Sequence, residues 1–152
     1  MNKKLILNLI LPLTIIVFIL FTKWWIVDVI DGRDGVMYGF PFIYRSPAFY
    51  TSCAEQYFIT ELILDFIIYF GVIFVLINYI NKFILEIKIK KIVSIFLYFI
   101  SSILIIFSIW LVSWPDKLFI VKRDFDIEIK KTGFDTPFYY GNRINDFLDY
   151  KQ

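Results

Sequence analysis

Three long apolar stretches, each bounded by charged residues or tryptophans, dominate the pattern of hydrophobic and polar positions along this chain. They cover residues 5–22, 66–81 and 92–115, and none of them contains a charged side chain. A helix of roughly 20 apolar residues crosses the hydrocarbon core of a bilayer. The pattern therefore predicts three transmembrane helices, over residues 5–23, 58–81 and 92–114.

The segments between the predicted helices are polar and show little regular pattern. They are a loop over residues 24–57, rich in aromatic residues and Asp-Gly turns, a link over 82–91 and a tail over 115–152. We expect an all-α integral membrane protein, a single membrane domain over residues 1–152. Its loop and tail cover each other as a small irregular cap, which has room for a short β-hairpin.

The predicted hairpin lies in the tail. Ile127 and Ile129 alternate with charged residues, which is typical of a half-buried strand. Residues 118–121 are the expected partner strand, residues 122–124 the turn, and Gly133 the end of the second strand. Residues 143–150 have the pattern of a short helix that follows.

The first predicted helix has the features of an uncleaved membrane anchor. Its apolar run is longer than the core of a usual signal peptide, and no small-x-small cleavage site follows it. Trp24 and Trp25 come directly after it, where aromatic residues mark the membrane surface. Pro12 lies inside the helix and predicts a kink, because it leaves the carbonyl of Asn8 without its helical donor.

The distribution of lysines predicts the orientation in the membrane. Lys3 and Lys4 precede the first helix, and Lys82, Lys88, Lys90 and Lys91 lie at the link. Positive residues mark the cytoplasmic side, and the first helix usually dominates over a tail of balanced charge. We expect a cell-membrane protein (inner membrane in a Gram-negative cell) with its amino terminus in the cytoplasm and its carboxyl terminus, loop and tail outside.

Composition excludes several kinds of chemistry. Of 152 residues, 59% are hydrophobic, none is His and one, Cys53, is Cys. Zinc, haem, iron–sulfur and His-dependent catalytic sites therefore lack their usual residues, and we expect no cofactor and no metal. The formal charge of +2 gives no reason to expect a nucleic-acid partner.

Two groups of polar residues inside the predicted helices are candidate functional residues. Glu61, Asp65 and Tyr69 are spaced by four and share a helix face, so they predict either an ion or proton site or a structural pair held by hydroxyls, Lys23 or Arg45. Small polar residues spaced by seven in the third helix predict a helix-packing seam, internal or between subunits, with a pore lining as the alternative. These residues are Ser94, Ser101 and Ser108.

Three functions are compatible with these features. The favoured one is a small non-enzymatic multi-pass membrane protein that acts through protein–protein contacts, as an accessory or assembly subunit. Its expected partners are the lipid bilayer and a membrane protein or a second copy of the chain. The alternative is a proton- or cation-conducting oligomer that uses Glu61 and Asp65. A lipid-modifying enzyme using Asp28, Asp31 or Asp34 ranks last, because the chain has no His and no clear metal cluster. The spacing of three also differs from that of an EF-hand loop, so a turn-rich loop is favoured over calcium or magnesium binding.

Overall fold

The computed structural model describes residues 3–30, 35–48 and 54–135. Within this part, the backbone forms three helices and one six-stranded sheet. The chain divides into a helical unit, Met1–Ile19 with Phe66–Ser113, and a sheet unit, Leu20–Asp65 with Trp114–Gln152.

The three helices lie over the three apolar stretches. They are α1 (Lys3–Leu20), α2 (Ile59–Ile84) and α3 (Lys91–Val112), and each is long and apolar enough to cross a membrane by length and composition. Near the start of α1, the backbone widens into a π-helical turn over Ile6–Ile10, which Leu11 separates from Pro12. A second π turn, Ile80–Ile84, ends α2.

The sheet contradicts the prediction of an all-α fold with an irregular cap. The fold is α/β, and the sheet is mixed: β4 and β5 are parallel and the other neighbours are antiparallel. Its strands, in chain order, are β1 (Thr22–Val29), β2 (Gly35–Tyr38), β3 (Arg45–Pro47), β4 (Glu55–Phe58), β5 (Lys117–Ile120) and β6 (Ile127–Asp135).

The loop and the tail do lie together, as strands of this one sheet. The order across the sheet is β5-β4-β3-β2-β1-β6, so β5 and β6 lie at opposite edges and the predicted hairpin between them is wrong. Instead, β6 pairs with β1 over most of its length, and Gly133 lies inside β6 rather than at its end. The predicted helix over residues 143–150 lies outside the described residues.

The two tryptophans after α1 belong to the sheet. Trp24 is 9% exposed and packs with Ile26 and Tyr38 on one face. Trp25 packs on the other face against a second core cluster, and its indole N–H donates to the carbonyl oxygen of Gly39 at 2.8 Å. Trp24 and Trp25 therefore pack within the sheet, whereas the sequence predicts them in an aromatic belt at the membrane surface. The buried members of the second cluster are Val27, Val29, Met37, Ile43 and Phe58.

Candidate functional site

Asp65 is the most enclosed charged residue among those described. Its side chain is 0% exposed, and it belongs to the sheet unit. Oδ2 accepts a hydrogen bond from the backbone N–H of Phe40 at 2.8 Å, and Oδ1 accepts one from Phe42 at 2.9 Å. Pro41, which has no N–H, lies between these two donors. Both carboxylate oxygens of Asp65 therefore hold the backbone on either side of Pro41.

The backbone segment that Asp65 holds, residues 39–44 (the held segment), begins at a glycine whose conformation a residue with a side chain rarely adopts. Gly39 has φ +144°, where a side chain would meet the backbone of Phe42, and the Phe40–Pro41 peptide bond is cis. The segment is also closed by a backbone hydrogen bond of 3.0 Å from the N–H of Tyr44 to the carbonyl oxygen of Tyr38. Asp65 thus supports a tight turn between β2 and β3, which is a structural role.

Glu61 lies one turn before Asp65 and has different partners. Its Oε1 accepts a hydrogen bond from the backbone N–H of Arg123 at 3.2 Å. Its Oε2 is buried without a hydrogen-bond partner among the described residues. Glu61 and Arg123 also line a cavity of about 260 Å³ in the sheet unit, whose remaining walls are mostly apolar. The two acids therefore share a helix and accept hydrogen bonds from different segments of the chain.

Tyr69, the third member of the predicted group, lies in the helical unit. Its ring packs edge-on against the ring of Phe18 on α1, with 5.4 Å between the centroids. Phe66 makes a similar contact with the same ring, at 5.5 Å. Tyr69 therefore contributes to the packing of α2 against α1.

The predicted serine seam faces α1 over part of its length. Ser94 and Ser101 are buried, whereas Ser108 is partly exposed. The hydroxyl of Ser101 lies 3.0 Å from the carbonyl oxygen of Pro12 on α1 and 2.8 Å from that of Leu97 in its own helix. The hydroxyl of Tyr98 donates to the carbonyl oxygen of Leu7 at 2.6 Å. Both hydroxyls join α3 to α1 through backbone carbonyl groups.

A charged cluster on the sheet was not predicted. Glu55 on β4 pairs with Arg45 on β3 through one carboxylate oxygen and with Lys117 on β5 through the other. The guanidinium of Arg45 lies 5.0 Å from the ring centroid of Tyr38 and 5.9 Å from that of Tyr57. The cluster therefore connects three neighbouring strands. The sequence offers Arg45 as a possible partner of Asp65. Arg45 instead pairs with Glu55, and Asp65 accepts its hydrogen bonds from Phe40 and Phe42.

The electrostatics of this cluster are those of a stabilising ion pair. Burial by itself raises the pKa of Glu55, but the positive charges of Arg45 and Lys117 outweigh burial and hold that pKa below its ordinary value of 4.5. Burial raises the pKa of the Tyr57 phenol, so Tyr57 stays neutral. In the sequence, this cluster is visible only as a few isolated charged residues among aromatic ones. That pattern does not indicate which charged residues will pair.

The remaining acidic candidates do not form a metal site in the described part of the chain. No group of three or more His, Cys, Asp or Glu side chains there could hold a metal ion. Asp28 lies on β1, where its carboxylate is 3.4 Å from the ammonium of Lys130. Asp31, Asp34 and Cys53 lie outside the described residues.

Comparison of the chain with protein-family models, curated proteins and solved structures finds no match.

Proposed function

We propose that this protein is a non-enzymatic multi-pass membrane protein that acts through protein–protein contacts, as an accessory or assembly subunit of a membrane complex. The observation that carries the membrane part is the exposure of its apolar helices. In the most apolar stretch of α2, and likewise of α3, only 11% of the residues are buried. Exposing this much apolar surface to water is unfavourable, whereas lipid or a membrane-embedded partner would cover it.

The topology of the sheet supports a single exposed lobe. If all three helices cross the membrane, α1 ends, α2 begins and α3 ends on the same side. The sheet is built from residues 22–58 and 117–135, which leave the helices at those three points. The opposite ends of the helices carry the six lysines of the amino terminus and the link. By the positive-inside rule, the sheet lies outside the cytoplasm.

An open edge of the sheet supports the proposed contact with another protein. In the described part of the chain, β5 and β6 each have a sheet neighbour on one side. β6 carries Lys130 and Lys131, and edge lysines discourage pairing with another chain. β6 also exposes Ile129 and Phe134, at 50% and 51%. The one lysine of β5, Lys117, pairs with Glu55, and β5 with the residue after it presents a continuous apolar surface: Leu118, Phe119 and Val121 are 42%, 58% and 77% exposed. An exposed apolar edge strand is a common site of strand addition by a partner.

The geometry gives no support to conduction through Asp65, or through Glu61 and Asp65 acting together. A conducting carboxylate must exchange its proton or ion with a mobile species. Both oxygens of Asp65 are instead occupied by backbone N–H groups, and the nearest acid on the same face, Glu61, has separate partners. We therefore retain the contact-based function.

The proposal is tested on two samples of native membranes that hold the tagged, full-length protein. One sample is extracted with alkaline carbonate, and the protein is isolated from the other in mild detergent. We expect the chain to stay in the membrane pellet and a companion protein to copurify in a fixed ratio. Val121→Lys places a charge at the β5 edge and should release the companion. Ile30→Lys is the matched control, because Ile30 is 71% exposed and follows β1 in the same unit. Extraction of the chain by carbonate would contradict the membrane location, and the absence of any companion would contradict the contact-based function. Equal companion recovery from both variants would contradict the contact at the β5 edge.

A further inference from the structure

A basic pocket lies in the helical unit, where α1 begins and α2 ends. It is a cavity of about 560 Å³ lined by residues of α1, of α2 and of the link to α3. We define it by its three lysines, Lys4, Lys82 and Lys88, and its three asparagines, Asn8, Asn78 and Asn81. Pockets of 300–1,000 Å³ are of the size that holds small ligands.

The charges around this pocket favour an anion. Glu86 is the one acid among its lining residues, so the three lysines leave a positive excess. Glu86 pairs with Lys88 at 3.2 Å, but both side chains are largely exposed, at 75% and 81%, so water screens this pair strongly. Ammonium groups bind phosphate as compact point charges.

The asparagines add neutral donors and hold the shape of the pocket. Oδ1 of Asn81 accepts a hydrogen bond from the backbone N–H of Ile87 at 2.8 Å, which folds the link back over the end of α2. The amide NH₂ of Asn78 donates to the carbonyl oxygen of Phe74 at 2.9 Å. With its oxygen engaged, Asn81 has its NH₂ available for an anion, and Asn8 supplies another amide.

We propose that the basic pocket binds the phosphate headgroup of an anionic phospholipid. This rests on the proposed membrane location, which places the ends of α1 and α2 at headgroup level. Leu5, Ile87 and Ile89 supply apolar wall beside the lysines, as a headgroup joined to a glycerol backbone requires. Basic pockets between helices on the cytoplasmic side of membranes are recurrent sites for such headgroups. A soluble phosphate ester shares the charge but has no use for the apolar wall.

The test uses the full chain in nanodiscs of phosphatidylcholine, with phosphatidylglycerol added as a minor component and bound lipid measured by native mass spectrometry. The site variant is Lys4→Gln with Lys82→Gln and Lys88→Gln. The matched control is Lys3→Gln with Lys90→Gln and Lys91→Gln, which removes the same charge from the same region without touching the pocket. Asn8→Leu tests the pocket without any change of charge.

We expect the site variant to lower the apparent affinity for phosphatidylglycerol on the order of 100-fold, from about five-fold for each lysine. The control should lose less than about ten-fold, because Lys3, Lys90 and Lys91 do not line the pocket and can attract the bound phosphate only from a distance, where the ions of the buffer screen the attraction. Asn8→Leu should weaken binding several-fold. Equal losses in both triple variants would overturn the proposal, since they would show only diffuse attraction.

Two further arms separate the lipid site from its alternatives. Soluble glycerol phosphate at millimolar concentration should not displace the lipid, and displacement would overturn the choice of a lipid ligand. A chain that enters phosphatidylcholine nanodiscs yet retains no phosphatidylglycerol refutes the pocket alone. A chain that fails to enter neutral nanodiscs refutes the membrane proposal, and the pocket proposal falls with it.

Discussion

Replacement of Asp65 tests whether this residue is structural. Asp65→Ala leaves the N–H groups of Phe40 and Phe42 without their acceptors at a position that is 0% exposed. Phe40 and Phe42 are 36% and 45% exposed, so water can partly replace the lost acceptor oxygens. At about 0.5–1.5 kcal/mol for each lost hydrogen bond, the free energy of unfolding should fall by about 1–3 kcal/mol. Asp65→Asn keeps one acceptor oxygen but turns an NH₂ group toward the other donor, so we expect an intermediate loss.

The loss is measurable by denaturation of the detergent-solubilised protein with tryptophan fluorescence as the signal. Trp25 reports on the affected region, because its indole N–H donates to the carbonyl of Gly39, beside the held segment. The matched control is Glu61→Gln, one turn earlier on the same helix. Its single described hydrogen bond, from Arg123, can persist to an amide oxygen, so the expected loss is below about 1.5 kcal/mol.

A specific result would refute this reasoning about Asp65. If Asp65→Ala and Glu61→Gln had the same free energy of unfolding, the two hydrogen bonds to Asp65 would not hold the turn between β2 and β3. If Asp65→Asn were as stable as the original protein, the negative charge and second acceptor would be dispensable. Either outcome would reopen the interpretation of Asp65 as a functional acid.

Three other predictions concern packing and pH. Gly133→Ala should lower the free energy of unfolding by about 1–3 kcal/mol, because the new Cβ would lie 2.5 Å from the Trp24 ring. Gly71→Ala is the control: nothing lies within 4 Å of its new Cβ, so it should be neutral or stabilising by up to about 1 kcal/mol. Thermal denaturation of the two variants compares them. Ser101→Ala should weaken the contact between α3 and α1 by about 0.5–1.5 kcal/mol in the same assay, and the exposed neighbour Ser102→Ala should not. The pKa of Glu55 in the folded protein lies below 4.5, so its ion pairs contribute fully to stability above pH 4.5 and are lost as the pH falls through the folded pKa. Unfolding curves at a series of pH values should show this loss in the original protein and not in Glu55→Gln.

The three helices could be predicted from the sequence because their signal is local. A run of uncharged apolar residues determines both the type of element and its approximate position. The remaining differences are at the ends: α2 extends to Ile84, beyond the predicted 81, because a π turn continues through Lys82. Such a turn has no distinct hydrophobic pattern.

The sheet was missed because most of its strands lack the alternation by which strands are recognised. The centre of β1 is packed on both faces, with Trp24 and Ile26 on one and Trp25 and Val27 on the other, so residues 24–27 form a continuous apolar run. Such runs are typical of strands covered on both sides. Here the run begins at Trp24, shortly after α1 ends at Leu20, where tryptophans are also typical of the interfacial end of a membrane helix.

The tail shows the opposite case, in which the pattern was visible but the partner was not. The alternation around Ile127 and Ile129 does mark β6, but alternation carries no information about the neighbouring strand. Val27 of β1 pairs with Ile129, about a hundred residues away in the chain. Gly133 was interpreted as a strand end, whereas it continues the strand and leaves room for the ring of Trp24.

The conduction hypothesis is best tested at Glu61, because a variant of Asp65 would confound flux with folding. Glu61 has one oxygen without a described partner and lines a cavity, so it is the acid whose geometry leaves room for an exchangeable proton or ion. Glu61→Gln removes the charge while keeping the acceptor for Arg123, and the fold should survive. We expect liposomes holding this variant to show the same proton and cation permeability as those holding the original protein. Loss of a flux that the original protein supports, in a variant with unchanged unfolding, would instead identify Glu61 as part of a conduction path.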